Sequence, residues 1–200
     1  MMKYLLLTAL VYMGSVENTL AQANWKGFNI GLDVNYHYLF GGAQVDGVET
    51  IGDGNRFALG GLLGYTWHFK RDIVFGTEFQ INQPLGAFEN NEHPDGTVVS
   101  YTIKPQTALQ FNLGKALGEK KTHFIQGYFA INQTRFDIDI ARPTGNWKQT
   151  DFENFGRIGL GYEYSLSNQW SVRVQAGTSM DALPDTDNGL DSKLNVKYHF

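Results

Sequence analysis

A chain of 200 residues with 23 glycines, 14% aromatic residues and no cysteine fits one sheet-rich domain better than a two-domain enzyme. The missing cysteine excludes disulfide staples, thiolate zinc sites, a cysteine nucleophile and a lipoprotein anchor. A net charge of −4 without any basic tract argues against a nucleic-acid partner.

The first predicted element is a secretory signal. Lys3 supplies the positive start, residues 4–16 an apolar stretch, and Ala21-Gln22-Ala23 the small-x-small cleavage pattern. Residues 1–23 are therefore expected to be removed, with cleavage at Ala21 or Ala23, leaving a barrel domain over 24–200. That apolar stretch is too short to span a bilayer as a helix, and no longer one follows. Membrane crossing then falls to strands in a closed barrel, which satisfies its backbone inside lipid.

Eight segments alternate with period two, each bounded by turn residues. Strand one places Ile30, Leu32, Val34, Tyr36, Tyr38 and Phe40 against Asn29, Gly31, Asp33, Asn35 and His37. Strand two sets Phe57, Leu59, Leu63, Tyr65, Trp67 and Phe69 against Ala58, Gly60, Gly64, Thr66 and His68. Strand three sets Ile73, Phe75, Phe79 and Ile81 against Gly76, Glu78, Gln80 and Asn82. Strand four has Val99, Tyr101, Ile103, Leu109, Phe111 and Leu113 against Lys104, Gln106, Gln110 and Asn112. Pro105 lacks an N–H, so a local bulge or an edge-like defect is expected within that strand.

Strand five, about 122–136, mixes its faces, with Ile125, Phe129 and Ile131 on one side and Gln126, Tyr128, Asn132 and Phe136 on the other. Strand six reads Ile158, Leu160, Tyr162, Tyr164 and Leu166 against Arg157, Gly159, Gly161, Glu163 and Ser165. Strand seven reads Trp170, Val172, Val174 and Ala176 against Ser171, Arg173, Gln175 and Gly177. Strand eight reads Leu190, Leu194, Val196, Tyr198 and Phe200 against Asp191, Lys193, Asn195, Lys197 and His199. Short turns near 70–72, 116–121 and 167–169 alternate with longer polar segments near 41–54, 84–96, 137–153 and 181–189. Both termini fall at the short-turn end, as an even-numbered antiparallel barrel requires.

Charge decides which face points inward. One face is apolar and aromatic, while the other carries Glu78, Lys104, Arg157, Glu163, Arg173, Lys193 and Lys197, whose burial in an apolar core would be costly. The predicted fold is therefore all-β, an eight-stranded antiparallel transmembrane up-and-down barrel with its charge in the lumen. Trp25, Tyr38, Phe40, Trp67, Phe69, Trp170, Tyr198 and Phe200 are expected in two interface girdles. Strands six and seven turn about Asn168, which puts Glu163 opposite Arg173 with both side chains inward, so a direct ion pair is expected there. The many lumenal glycines keep a narrow water path possible in this reading.

Several stretches resemble the opacity-type small porins of Gram-negative outer membranes. The opening Trp25-Lys26-Gly27-Phe28-Asn29-Ile30-Gly31-Leu32 is similar to that family's first strand. Gly60-Gly61-Leu62-Leu63-Gly64-Tyr65-Thr66-Trp67, then Val74-Phe75-Gly76-Thr77-Glu78, resemble its second hairpin. Gly159-Leu160-Gly161-Tyr162-Glu163-Tyr164 and Asn168-Gln169-Trp170-Ser171-Val172-Arg173 resemble its sixth and seventh strands, although Gln175-Ala176 replaces a frequent Glu-Tyr. The resemblance implies the cell outer membrane as location. It also implies that Val196, Tyr198 and Phe200 form a terminal signal read by the barrel-insertion machinery, through strand pairing at an open edge.

Catalysis has little support. No serine stands two places after His37, His68, His93 or His123, and in the set His37, Asp191 and Ser192 parity sends Ser192 to the lipid face. No catalytic, cofactor or metal residues are therefore assigned. The external segments are acidic, through Asp46, Glu49 and Asp53, then Glu89, Glu92 and Asp95, then Asp137, Asp139, Asp151 and Glu153, then Asp181, Asp185 and Asp187. The stretch 185–191 resembles a calcium loop without its later bidentate Glu and reads as a solvated turn. The expected function is a structural or surface-interaction role through four external loops, in contact with outer-membrane lipid and lipopolysaccharide and with an external partner that the sequence does not name. A narrow porin for small solutes is the alternative, and a lipid A-modifying enzyme a lesser one.

Overall fold

A computed structural model describes residues 25–39, 44–45, 48–49, 54–85, 91–92, 96, 98–142, 145–181 and 189–200. The expected signal segment, Phe40 and most of the calcium-like stretch lie outside the described residues. Eight strands carry the fold: β1 (Gly27–Leu39), β2 (Gly54–His68), β3 (Ile73–Leu85), β4 (Gln106–Leu117), β5 (His123–Arg142), β6 (Gly145–Ser165), β7 (Trp170–Asp181) and β8 (Gly189–His199). Each pairs antiparallel with its neighbour in sequence, and β8 pairs with β1 to close the sheet.

Following paired residues once around, from Phe28 through Tyr65, Thr77, Phe111, Phe129, Ile158, Thr178 and Leu190, the path returns at Tyr38, ten residues further along β1. Eight strands with such a stagger tilt by about 40° and enclose a bore that side chains can fill.

Period-two alternation in each strand sends one row outward and one inward. Leu32 on the outer row is 74% exposed, whereas Arg173 on the inner row is 0% exposed. A soluble protein does the reverse, so the outer face is solvated by hydrocarbon. Near the short-turn end outer aromatics stack edge to face across strands, Phe28 on Tyr65 at 4.8 Å and Trp170 on Tyr198 at 5.1 Å, while Tyr65 packs at a tilt on Trp67 of its own strand at 4.7 Å. Such amphipathic rings suit the membrane interface. Trp25 is not among them. It precedes β1 and turns under the barrel mouth, where its Nε1 donates to the Lys121 carbonyl at 2.6 Å and its ring packs on Phe124 and His199. With Val74 and Ala116 it forms a small apolar plug.

Two expectations at the external end are corrected. The bulge at Pro105 is present: Ile103 faces Phe136 while Thr107 faces Gln133, so four steps on one strand oppose three on the other. One extra residue reverses the parity above it. Lys104 consequently leaves the lumenal row to which the sequence assigned it, and its half-exposed Nζ lies 3.0 Å from Asp137 Oδ2. The 137–153 segment, read as a loop, is instead a β-hairpin, because β5 and β6 stay paired up to Arg142 and Gly145. The Val98–Ile103 strand pairs alongside β5.

At the opposite end the short turns are clamped by Lys121 Nζ on Asp72 Oδ2 at 2.8 Å. This hydrogen bond holds the Asp72 carboxyl below its ordinary value. A carboxyl lowered on folding adds stability above its unfolded pKa, and that contribution is lost as pH falls through the folded pKa. Acid titration followed by NMR of the turn amides should show the turns loosening below the usual carboxylate range, and Asp72→Asn should abolish the step. Identical titration of both proteins would refute the clamp.

Candidate functional site

The inner row fills the bore with polar side chains, and among the described residues the buried charges balance: Asp33, Glu78, Glu163 and Asp191 against Arg157, Arg173, Lys193 and Lys197. They divide into two clusters of different character. In the half towards the short turns, Arg173 grips Glu78 with two parallel bonds, Nη1 to Oε1 at 2.7 Å and Nη2 to Oε2 at 2.6 Å. Its Nε donates to Asn195 Oδ1 at 2.7 Å. Lys197 Nζ bridges Glu78 Oε1 at 3.2 Å and Glu163 Oε2 at 3.0 Å. Glu163 also accepts from Ser171 Oγ and lies 3.4 Å from His199 Nε2. Bidentate, charge-assisted bonds of this kind compensate the desolvation of buried charge.

The hairpin register does set Glu163 opposite Arg173. Their charged atoms nevertheless approach only to 4.0 Å, and Arg173 reaches across the bore to Glu78 instead. The expected simple pair is thus one weak contact within a five-member cluster. Sequence reasoning placed Glu78, Lys197 and His199 on the inner face but did not join them to it.

In the outer half each buried charge meets neutral partners. Lys193 Nζ donates to Gln80 Oε1 at 2.8 Å, Asp33 accepts from Asn35 at 2.9 Å, and Asp191 accepts from Tyr128 Oη at 3.2 Å. Arg157 Nη2 donates to His37 Nε2 at 2.9 Å. Since a guanidinium can only donate, that imidazole nitrogen is an acceptor and the ring is neutral. His37 and Asp191 stand opposite each other on β1 and β8, while Ser192 is exposed on the outer row. The parity that separates Ser192 from the other two is therefore realised in the backbone.

At three of the lumenal glycines that kept a narrow water path possible, the space is filled by side chains. A side chain at Gly159 or Gly177 would collide with the Tyr128 ring, and one at Gly161 would meet Gln126 and Gln175. The glycines are the sockets into which long lumenal side chains fold from neighbouring strands. The terminal residues Val196, Tyr198 and Phe200 lie on the outer row, where Phe200 is 71% exposed, stacks on Tyr198 at 5.0 Å and ties its N–H to the Phe28 carbonyl at 2.9 Å.

Residues 6–200 match the family model of the outer membrane protein beta-barrel domain. The chain belongs to that family. No curated protein sequence matches. Among solved structures, this outer-membrane barrel is similar to Ail, the attachment invasion locus protein of Yersinia pestis, at a TM-score of 0.56 and 11% identity over 88% of this chain and 99% of Ail. The complex of Ail with the heparin analogue sucrose octasulfate gives 0.53 and 13%, covering 87% and 99%. Neisserial surface protein A gives 0.47 and 10%, covering 87% and 97%. At these identities the likeness concerns the fold alone, which agrees with the closed eight-stranded sheet, and the family match places this barrel in the outer membrane.

Proposed function

We propose that this outer-membrane barrel is a non-enzymatic surface-interaction protein of the opacity type, which presents its external end to an extended segment of another molecule. The observation that carries this is the overhang of β6. Among the described residues, β7 joins β6 only from Phe155, so residues 145–151 pair with β5 on one side and no described strand runs along the other. At about 3.3 Å per residue this is an open edge on the order of 20 Å long. Unpaired N–H and C=O groups along such an edge can accept an added strand.

Charge selects the partner. Thirteen acidic side chains in the external segments stand against Arg142 and Lys148. A basic peptide is favoured over a polyanion such as the one bound to Ail. Partners in this reading also include lipopolysaccharide and phospholipid around the belt and the insertion machinery during assembly. The packed bore disfavours the porin alternative.

The test uses the barrel in lipid nanodiscs with a lysine-rich extended peptide as probe. Replacing residues 137–153 by a tight turn should weaken binding at least tenfold and leave the barrel folded. Equal binding would overturn the reading, and stepwise conductance in planar bilayers would restore the porin.

A further inference from the structure

Arg157 is the buried cation with the least compensation. It is 3% exposed, its Nε and Nη1 have no partner among the described residues, and Nη2 meets only neutral acceptors, His37 Nε2 at 2.9 Å and Gln106 Oε1 at 3.4 Å. Phe155 covers it with its ring centroid 5.0 Å from Cζ. Among the described residues no carboxylate lies within ion-pair distance. Asp191 instead accepts from Tyr128, and its Oδ1 also lacks a partner. Arg173, in the other half of the same bore, has a carboxylate on both terminal nitrogens. The same residue type thus occurs once saturated and once with donors to spare.

A guanidinium has five N–H donors and cannot shed its charge, so three donors without acceptors in a buried site are costly unless water or an anion supplies them, and only an anion also offsets the charge. From this contrast we infer that Arg157 is the anchor of a small-oxyanion site in the outer half of the lumen, taking phosphate, sulfate or a carboxylate. The chemistry fits: oxyanions present several acceptors to a guanidinium, and the neutral His37 and Gln106 hold the planar group in orientation without neutralising it. Entry is from the external side, where His37 is half-buried, because the inner half is closed by the Glu78 cluster and the Trp25 plug. The site goes beyond the surface role above and does not depend on it.

The experiment titrates inorganic phosphate, and separately acetate, into the purified barrel in a phosphate-free nonionic detergent, at constant ionic strength maintained with chloride. Binding is read by NMR shifts of the Arg157 side-chain N–H signals and by thermal unfolding. The wild type should show a saturable shift with at least one of the two ions, and which ion binds more tightly distinguishes a phosphate source from a carboxylate one. Arg157→Gln should lose the thermal response at least tenfold. Because that variant can fail to fold, Asp191→Asn is the second arm: removing a neighbouring negative charge should tighten binding several-fold. Lys148→Gln on the external hairpin should leave the response unchanged. No saturable response in the wild type, or one that survives Arg157→Gln, or one abolished by Lys148→Gln, would overturn the site.

Discussion

Arg173→Met is expected to lower the unfolding free energy of the barrel by about 3 to 5 kcal/mol, the range typical of stranding buried charge. The variant leaves Glu78 and Glu163 enclosed with Lys197 and His199 as their remaining ionisable partners. The geometry also orders the pairwise couplings. Arg173 holds Glu78 by two short bonds but approaches Glu163 only to 4.0 Å. A double-mutant cycle with Glu78→Gln should therefore give a larger coupling to Arg173→Met than one with Glu163→Gln, measured by urea unfolding in lipid vesicles. A larger Glu163 coupling would mean that the cross-bore bidentate pair is not the main support of the cluster.

Deleting Phe200 is expected to cut the yield of assembled barrel in the outer membrane severely while secretion into the periplasm continues. The folded state gives a reason to separate the two effects. Phe200 is mostly exposed to lipid and contributes one ring contact and one backbone hydrogen bond, so its loss should cost the finished barrel only about 1 to 2 kcal/mol. A large assembly defect on a small stability change then reports recognition of the terminal strand. Fractionation of cells gives the yield, and refolding of the truncated chain into vesicles gives the stability. Normal outer-membrane yield would remove the assignment of Val196, Tyr198 and Phe200 as a signal.

The strands were legible in the sequence because lipid and lumen impose opposite chemistry on alternate residues, and that contrast is local. Leu190 and Asp191, or Tyr162 and Glu163, declare their sides within two positions. What was not legible depends on closure. Arg173 and Glu78 are 95 residues apart, and their meeting follows from the ten-residue stagger and the width of the bore, which no local pattern carries. The same holds for Tyr128, whose aromatic character suggested an ambiguous strand until the Gly159 and Gly177 sockets explained how a ring fits inside. Lys104 was misplaced for a local reason. Pro105 signalled a bulge, but a bulge also reverses parity, and carrying that reversal upward would have moved Lys104 to the side of Asp137.

The extra residue at Pro105 also separates two kinds of design freedom. Below it, inserting a single residue would swap lipid-facing and lumenal side chains along an entire strand, so length there is fixed by solvent on both faces. Above it residues 145–150 of the hairpin are exposed, and the register has already been broken once. A change of length confined to the overhang therefore leaves the lipid and lumenal rows of the wall where they are. The external arm is therefore exchangeable: a hairpin of different sequence can be spliced onto the same barrel at this joint.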